Sequence, residues 1–276
     1  MSKNIHTPGV VNVSADSATS ATFTIEPLHS GYGMTLGNSL RRVLLSSISG
    51  AAVTGVKFEG ASHEFTSLPG VKEDLVAIIL NLKGITFKVF SDEPQTLRLT
   101  KKGKGAVTAG DIATNADVEV VNPGHVIATI DDAKSSISLD IIVEVGRGYR
   151  TVEEVSSKKI VSDQIAVDAI FTPVHRVRYK VENTRVGQMT DLDKLLLTVD
   201  TDGSINPADA FEEAAAILIN QYTALAGSTR VEASPTIGSE TADAGAELMT
   251  PIEDLNLSAR TTNALINNEI RTINDL

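Results

Sequence analysis

The sequence predicts an α+β fold with two structural units, and three observations support this prediction. A broad apolar helical pattern occupies part of Glu26–Gly60, and a second long helical pattern follows Asn206 and Pro207. Between them, Ile85–Val145 alternates apolar and polar residues with a period of two, as strands with one buried face do. At 276 residues, the chain has ample length for one large or two modest domains with a buried core.

The segment Glu26–Gly60 predicts a glycine-rich turn, then a helix, then a strand. Thr35 is the predicted N-cap, because its hydroxyl can accept a hydrogen bond from the free N–H groups of the first helical turn. One sheet cannot cover the wide apolar stripe of this helix, so a partner helix or a second subunit is expected to pack against it. The stripe consists of Leu36, Leu40, Val43, Leu44, Leu45 and Ile48.

The polar side of the same helix carries two adjacent arginines, Arg41 and Arg42, which point about 100° apart. A lone helix arginine is usually a solvated charge, whereas small neighbours leave room for another backbone to approach. For Arg42 both interpretations are open, a solvated charge and a docking side chain. Its neighbours on the helix face are small and polar, namely Asn38, Ser39, Ser46 and Ser49.

The remaining elements are predicted from the same patterns. Strands are predicted at Ala21–Glu26 and Ala52–Phe58, and a short helix at Glu73–Leu82. Beyond the alternating segment, two longer strands are predicted at Val174–Glu182 and Lys194–Asp200.

A second long helix is predicted to begin at Asn206, whose side chain can cap it, and Pro207, and to end at Gly227. Its alanine-rich middle permits close approach of another helix. Residues 228–250 lack aromatics and are rich in small and acidic residues, which predicts a flexible linker, and a helical pattern resumes over 251–276. The apolar residues at helical spacing in the long helix are Phe211, Ala214, Ala215, Leu218, Tyr222 and Leu225.

The composition argues against several classes of function. A formal net charge of −11 is unfavourable for a broad nucleic-acid groove, and 4% aromatic residues are too few for a base-stacking platform. Zero cysteines exclude disulfides and thiolate metal sites, in agreement with a reducing cytoplasm. The N-terminus lacks a signal-peptide pattern, and no apolar run approaches the ~18 residues of a membrane span.

Candidate chemical motifs favour turns and loops. The aspartates of Asp200–Gly203 lack the third ligand and the closing Glu of a calcium loop, and Lys101–Gly105 lacks the surroundings of a phosphate-binding loop. The five histidines have no paired ligand spacing, so no catalytic, metal-binding or cofactor-binding residue is predicted. The segment Gly146–Tyr149 predicts either a loop that exposes Arg147 or a β-bulge.

Long segments of this chain match one known family in order. The first two are GYGMTLGNSLRRVLLSS at 31–47 and GAAVTGVKFEG at 50–60. Together with the later segments they resemble the alpha subunit of bacterial DNA-directed RNA polymerase over nearly the whole chain. The later segments are Gly70–Gly84, Val143–Tyr149, Val177–Phe211 and Pro251–Leu265.

The resemblance implies the domain organisation. An N-terminal assembly domain is expected at 1–227. Within it, a dimerisation subdomain of one sheet and two long helices covers roughly 1–51 and 173–227, and a mostly β subdomain is inserted at roughly 52–172. The linker at 228–250 and a shortened C-terminal domain of helix-hairpin-helix type at 251–276 then follow.

The resemblance also implies the function: a cytoplasmic homodimer that assembles the beta and beta-prime subunits for transcription. This chain is then expected to hold no catalytic residue and no cofactor, since the Mg²⁺ of that nucleotidyltransferase lies on beta-prime. The implied dimer residues are Leu36, Leu40, Leu44, Leu45, Ile48, Phe211, Leu218 and Tyr222. The implied docking residues are Arg42 (the leading contact to beta), Asn38, Gly146, Arg147, Gly148, Asp191 and Asp193.

An alternative is a DNA-binding module that acts alone through the C-terminal segment. Arg260 and Asn263 match family positions that reach into the minor groove of A·T-rich upstream promoter DNA. For the assembly platform, too, the resemblance implies residual contact of the C-terminal segment with promoter DNA and transcription regulators. Residues 228–276 nevertheless hold more acidic than basic residues, which weakens phosphate binding. Capture of beta without DNA supports the platform, whereas a shift of an A·T-rich duplex by the free protein supports the module.

Overall fold

The computed structural model describes residues 9–61, 63–158, 164–187 and 189–226. The predicted linker, the C-terminal segment, and Arg260 and Asn263 within it lie outside the described residues. The helices are α1 (Tyr32–Ser46), α2 (Leu75–Leu82), α3 (Val152–Lys158) and α4 (Pro207–Ala226), with a 3-10 turn at Ala109–Asp111. The strands are β1 (Gly9–Ser17), β2 (Ser20–His29), β3 (Ser49–Phe58), β4 (Phe87–Val89), β5 (Gln95–Lys102), β6 (Gly105–Thr108), β7 (Ile112–Ala113), β8 (Val118–Val120), β9 (Val126–Ile130), β10 (Ser136–Arg147), β11 (Tyr149–Arg150), β12 (Ile165–Ala166), β13 (Ala169–Ile170), β14 (Val174–Val186) and β15 (Met189–Thr201).

The two ends of the described chain build one antiparallel sheet with the order β1-β2-β15-β14. Helices α1 and α4 pack against this sheet and against each other. The alternating residues of β2 and β15 point into the shared core, so Phe23, Leu195 and Leu197 are almost fully buried. We call β1, β2, β14, β15, α1 and α4 the four-stranded unit.

Two glycines let α1 approach the sheet closely. A Cβ atom at Gly33 would lie 2.8 Å from Val181 Cγ1, and one at Gly37 would lie 2.7 Å from Tyr179 Cδ2. Real side chains do not tolerate such contacts, so these positions in the helix require glycine for packing rather than for backbone freedom. The predicted glycine turn is therefore shorter than expected, because Gly33 already belongs to the helix.

The predicted N-cap of α1 is wrong. The helix begins three residues before Thr35, after Gly31 in the left-handed conformation at φ +86°. Its first N–H groups are satisfied from β15, since Asp193 Oδ2 accepts from Gly31 N at 2.9 Å and from Gly33 N at 3.1 Å. Thr35 Oγ1 instead donates to the Gly31 carbonyl at 3.3 Å. A distant carboxylate thus takes the capping role that local sequence assigned to a hydroxyl.

The middle of the chain builds a second, seven-stranded sheet. Its long strand β10 pairs with β5 on one side and β3 on the other, and β12 also pairs with β3. Helix α2 covers this sheet, with Leu75, Ile78 and Leu82 fully buried. We call the elements from β3 to β12 the seven-stranded unit.

Most predicted elements are present, with shifted ends. The helix α2 begins at Leu75 because Asp74 Oδ1 caps it by accepting from Ala77 N at 2.8 Å, whereas Glu73 accepts from Thr129 N at 2.6 Å. Strands β14 and β15 extend beyond their predicted ends, and β1 was not predicted at all. Helix α4 begins at Pro207 as predicted, with Asn206 Oδ1 accepting from Ala208 N at 3.2 Å.

The two segments with candidate chemical motifs, Asp200–Gly203 and Lys101–Gly105, contain turns, as predicted. Asp202 Oδ1 accepts from Ser204 N at 2.9 Å, and Gly203 adopts φ +93°, so this aspartate closes the turn before α4. Lys101 Nζ lies 2.5 Å from Asp111 Oδ2 and 2.7 Å from the Ala106 carbonyl, near the turn between β5 and β6, which belong to different sheets.

Candidate assembly surface

Arg42 lies on the exposed side of α1. Its side chain and that of Asn38, one turn earlier, are both exposed. The Arg42 guanidinium makes no ion pair with any described residue. Ser46 Oγ donates to the Arg42 carbonyl at 2.8 Å, so the small residues beside the arginine bond to the helix backbone. The structure thus leaves a full positive charge with unused donors at this surface.

The segment Gly146–Gly148 ends β10 and turns the chain toward β11. Gly146 pairs with Gly50 of β3, and a Cβ atom there would lie 2.9 Å from the Phe171 ring. Gly148 adopts φ +68°, which favours glycine. Between them, the Arg147 side chain is 62% exposed, and its guanidinium lies 4.0 Å from Glu213 of α4. Arg147 is exposed as predicted, but from the end of a strand rather than from a loop. The predicted β-bulge is absent from this segment, because the register shift between β10 and β3 lies between Ile142 and Val143.

These two predicted docking segments meet in space. A Cβ atom at Gly148 would lie 3.8 Å from the carbonyl oxygen of Ser46, and Arg147 pairs in register with Ser49. Arg42 is one helical turn before Ser46. The end of α1 and the end of β10 therefore form one continuous corner, which we call the α1–β10 corner and define by Arg42, Ser46, Arg147 and Gly148.

The two predicted aspartates lie at the opposite end of α1. Asp193 is buried and bonded to the first turn of the helix, so its contacts are internal. Asp191 is exposed at the start of β15. At 1.5 Å per residue, roughly 14 Å of helix separates Gly33 from Arg42. The docking residues therefore divide into two groups, one at each end of α1.

The residues predicted at the dimer interface differ in how far they are buried within the protomer. Leu40, Leu44 and Ile48 are buried in the core of the four-stranded unit, so they have no surface for a second subunit. The Phe211 ring stacks on Phe23 of the same chain, with centroids 4.5 Å apart and planes 12° apart. The sheet and α4 thus provide much of the cover that the α1 stripe requires. The half-buried residues of the predicted set are Leu36, Leu45, Phe211 and Leu218.

The second half of α4 extends past this core. Tyr222, which was predicted, is 55% exposed, and two apolar side chains outside the predicted set, Ile219 and Leu225, are 63% and 83% exposed. Every described residue from Ile219 to the end of α4 is exposed. The helical spacing of Leu218, Tyr222 and Leu225 was the sequence signal for this face. The exposure of Ile219 could be seen only in the structure, because the local sequence pattern does not show where the sheet ends beneath the helix.

Two carboxylates beside the sheets have lowered pKa values because they bind partners within the chain. The hydroxyl of Ser20 at 2.5 Å, and then Arg176 at 2.6 Å, lower the pKa of Asp200. A hydrogen bond from Lys83 at 2.8 Å lowers the pKa of Asp168. Both carboxylates are bound to internal partners. Within the described ranges no cluster of His, Asp and Glu is arranged to hold a metal ion, and no helix there is long and apolar enough to cross a membrane.

Comparison with known proteins adds two family matches. Residues 56–172 match the RNA polymerase Rpb3/RpoA insert domain, and residues 239–276 match the C-terminal domain of the bacterial RNA polymerase alpha chain. The first match covers most of the seven-stranded unit. The second covers residues outside the described ranges.

Full-length relatives match most of the chain. The DNA-directed RNA polymerase subunit alpha of Roseiflexus sp. (strain RS-1) is 48% identical over 246 residues, which is 88% of this chain and 76% of that protein. The subunit of Moorella thermoacetica is 48% identical over 256 residues, covering 92% and 82% of the two chains. The subunit of Oceanobacillus iheyensis is 46% identical over 264 residues, covering 95% and 84%.

Proposed function

Because this chain belongs to the alpha subunits of bacterial DNA-directed RNA polymerase, which dimerise and assemble the polymerase core, we propose that the surfaces described above perform that assembly. The chain is a component of a nucleotidyltransferase complex. Its proposed specific partners are a second copy of itself and the beta and beta-prime subunits, with one copy contacting mainly beta and the other mainly beta-prime.

The second half of α4 is the proposed centre of the dimer face. Exposed apolar residues scattered over a surface are ordinary, but here Ile219, Tyr222 and Leu225 lie within two turns of one helix. Half-buried Leu36 and Leu45 of α1 and Leu218 of α4 border this face in the proposal. Each large apolar side chain that becomes buried contributes about 1.5–3 kcal/mol before ordering costs.

The α1–β10 corner is the proposed site for beta. The proposal rests on the exposed Arg42 guanidinium, which has no ion pair among the described residues and lies one helical turn before Ser46, whose carbonyl is close to Gly148. An arginine there can donate several hydrogen bonds to carboxylates or carbonyls of a partner whose backbone approaches closely. Asn38 and Asp191 are proposed as outlying contacts, and Asp193 as a residue that holds α1 in place.

The remaining assignments follow from the family. Phosphodiester synthesis is proposed to use residues and Mg²⁺ of the other subunits, so this chain contributes no catalytic residue and no cofactor of its own. Cytoplasmic location follows from the same role. Contact of Arg260 and Asn263 with A·T-rich promoter DNA, and of the C-terminal segment with regulators, also belongs to the proposal.

The experiment compares Arg42→Ala with Arg41→Ala, its exposed neighbour on the same helix. Both variants should keep the free energy of unfolding within about 1 kcal/mol of the original protein, as exposed substitutions do. Both should form dimers by light scattering. Arg42→Ala alone should lose capture of purified beta in a pull-down.

Equal capture of beta by both variants would contradict the docking role of Arg42. A gel shift of an A·T-rich duplex by the free protein at physiological salt, without any capture of beta, would favour the DNA-binding alternative instead.

A further inference from the structure

A buried aromatic ring lies where the chain runs from the seven-stranded unit to the four-stranded unit. Phe171 lies between β13 and β14, and its side chain is only 2% exposed. In sequence it stands two residues before Pro173, where the chain enters β14. Its ring belongs to neither of the two large apolar cores. It therefore has a place of its own at the junction.

Two glycines make the space that this residue occupies. Gly50 of β3 and Gly146 of β10 are directly paired. A Cβ atom at Gly146 would lie 2.9 to 3.0 Å from three carbons of the Phe171 ring. A Cβ atom at Gly50 would overlap the Phe171 carbonyl oxygen. The paired glycines thus form a slot at the end of the seven-stranded sheet, one holding the ring and the other the backbone.

An arginine also lies over the Phe171 ring. The Arg150 guanidinium carbon lies 4.9 Å from the centroid of the Phe171 ring, a distance typical of cation–π stacking. Arg150 Nη1 lies 2.6 Å from Glu144 Oε2, and both side chains are only 22% exposed. Glu144 Oε1 also accepts from Thr54 Oγ1 at 3.0 Å. Strands β3, β10 and β11 therefore hold the arginine over the ring.

Backbone hydrogen bonds tie the same short segment to both units. Phe171 N donates to the Gly148 carbonyl at 2.9 Å, on the side of the seven-stranded unit. Thr172 Oγ1 donates to the Leu45 carbonyl of α1 at 3.4 Å. Asp202 N, after β15, donates to the Pro173 carbonyl at 2.9 Å. Residues 171–173 thus connect the end of β10, the end of α1 and the end of β15.

We propose that Phe171 is a positioning residue that fixes the angle between the two units, with Gly50 and Gly146 as its slot and Arg150 as its cover. The proposal rests on the proposed assembly function in one respect. The α1–β10 corner takes Arg42 from one unit and Arg147 from the other, so a partner meets one fixed surface only when the two units keep one angle. In this proposal the Phe171 ring acts through the angle between the two units and not by contact with the partner protein.

The direct test measures the angle as a distance within one protomer. The sequence has no cysteine, so Thr100→Cys on β5 and Thr190→Cys on β15, both exposed, place two spin labels on different units. Labelled protomers are diluted into unlabelled protein so that each dimer carries one pair. Electron–electron double resonance should give one narrow distance for the original protein and a clearly broader distribution for Phe171→Ala and for Arg150→Lys. Arg150→Lys keeps the charge near Glu144 and loses the planar stacking.

A purely structural role would give a different result. In that case the variants would melt earlier but keep the narrow distance at temperatures well below melting, and this outcome would overturn the proposal. If Phe171→Ala does not fold, Arg150→Lys carries the same measurement. If a variant keeps the original angle between the units in only about one tenth of its molecules, its apparent affinity for beta falls about tenfold although Arg42 is intact.

A second test uses the different contacts of the two glycines. Gly146→Ala collides with ring atoms, so it should lower the melting temperature in the original protein and have no further effect in a Phe171→Ala background. Gly50→Ala collides with a backbone oxygen, so its effect should be the same in both backgrounds. Equal behaviour of the two alanines would show that the slot is not specific for the ring.

The two proposals fail separately. If the original protein does not capture beta, the assembly function fails while the distance measurement still tests the junction. If beta is captured but the distances never change, the junction proposal alone fails.

Discussion

The seven-stranded unit encloses Leu75, Ile78 and Leu82 of its helix under its own sheet, whereas the four-stranded unit leaves the second half of α4 exposed. The seven-stranded unit also has exposed apolar residues, including Phe65, Leu80 and Phe90, but these lie on separate elements. In α4 they are concentrated within two turns. One unit covers the apolar side of its helix from its own chain, and the other leaves apolar side chains of its helix exposed.

This difference explains how one chain can be both a stable body and an assembling subunit. A closed core makes the stability of a unit independent of protein concentration. An exposed apolar face makes stability depend on the partner by mass action.

Leu225→Asp should separate the dimer. A buried leucine contributes about 1.5–3 kcal/mol, and a homodimer carries the change twice, so the dimer dissociation constant should rise at least about 100-fold. Light scattering over a micromolar range measures it. The matched control is Leu80→Asp, an exposed leucine of α2 in the seven-stranded unit, which should leave the dimer intact. A full dimer of folded Leu225→Asp would place the dimer face elsewhere.

Leu45, which the sequence analysis also placed at the dimer face, is a poorer test. It is half-buried and packs against the core of the four-stranded unit, so an aspartate there would disturb the fold and the dimer together.

Hydrogen exchange should depend on protein concentration in one unit only. Raising the concentration of the original protein from nanomolar to high micromolar should slow exchange in α4, because dimerisation covers it. Peptides from β5 and β10 should exchange at an unchanged rate, since their core is internal to the protomer. Concentration dependence in both units, or in neither, would contradict the contrast drawn above. Leu225→Asp provides the monomeric reference.

Asp200→Asn should have the smallest effect, confined to the four-stranded unit. The pKa of Asp200 in the folded protein is below its ordinary value of 3.8, first because of the Ser20 hydroxyl and then because of Arg176. A depressed pKa means that the carboxylate stabilises the fold above that ordinary value, and that this stabilisation is lost as pH falls through the folded pKa. The variant should therefore lose about 1 kcal/mol at neutral pH, and the difference should vanish in strong acid.

The matched variant for this measurement is Asp168→Asn. The pKa of Asp168 is also lowered, chiefly by the hydrogen bond from Lys83, but this pair belongs to the seven-stranded side of the chain. Denaturant unfolding followed by hydrogen exchange should show faster exchange around β14 and β15 for Asp200→Asn, and around α2 for Asp168→Asn. The same peptides responding to both changes would indicate a single cooperative unit.

Local sequence predicted those features whose causes are local. Pro207 after Asn206 determines the start of α4, and Gly203 the preceding turn, because cap, proline and glycine preferences act within a few residues. The wide stripe of α1 correctly indicated a partner helix, which is α4 of the same chain. The same stripe did not show that Leu44 and Ile48 are buried in the core of their own protomer and cannot contact a second subunit.

Features with distant causes were not predictable in this way. The true cap of α1 is Asp193, 160 residues beyond Gly33 in the sequence. The slot for Phe171 combines Gly50, Gly146 and Arg150 from three strands whose pairing only the structure shows. The proximity of the end of α1 to the end of β10 likewise depends on the register of the strands. The sequence thus indicated which residues belong to the proposed assembly surface, but not which of them lie close together in space.

The hydrogen bonds from Gly31 and Gly33 to Asp193 also have a consequence for synthesis on the ribosome. The carboxylate that caps α1 is translated 162 residues after Gly31, and α4 is translated later still. The whole seven-stranded unit leaves the ribosome in between, and it can close its own core during that time. Until β15 and α4 follow, α1 lacks its cap and much of its apolar cover. In the newly made chain the apolar stripe of the first helix therefore waits for residues from the far end of this unit before it is covered.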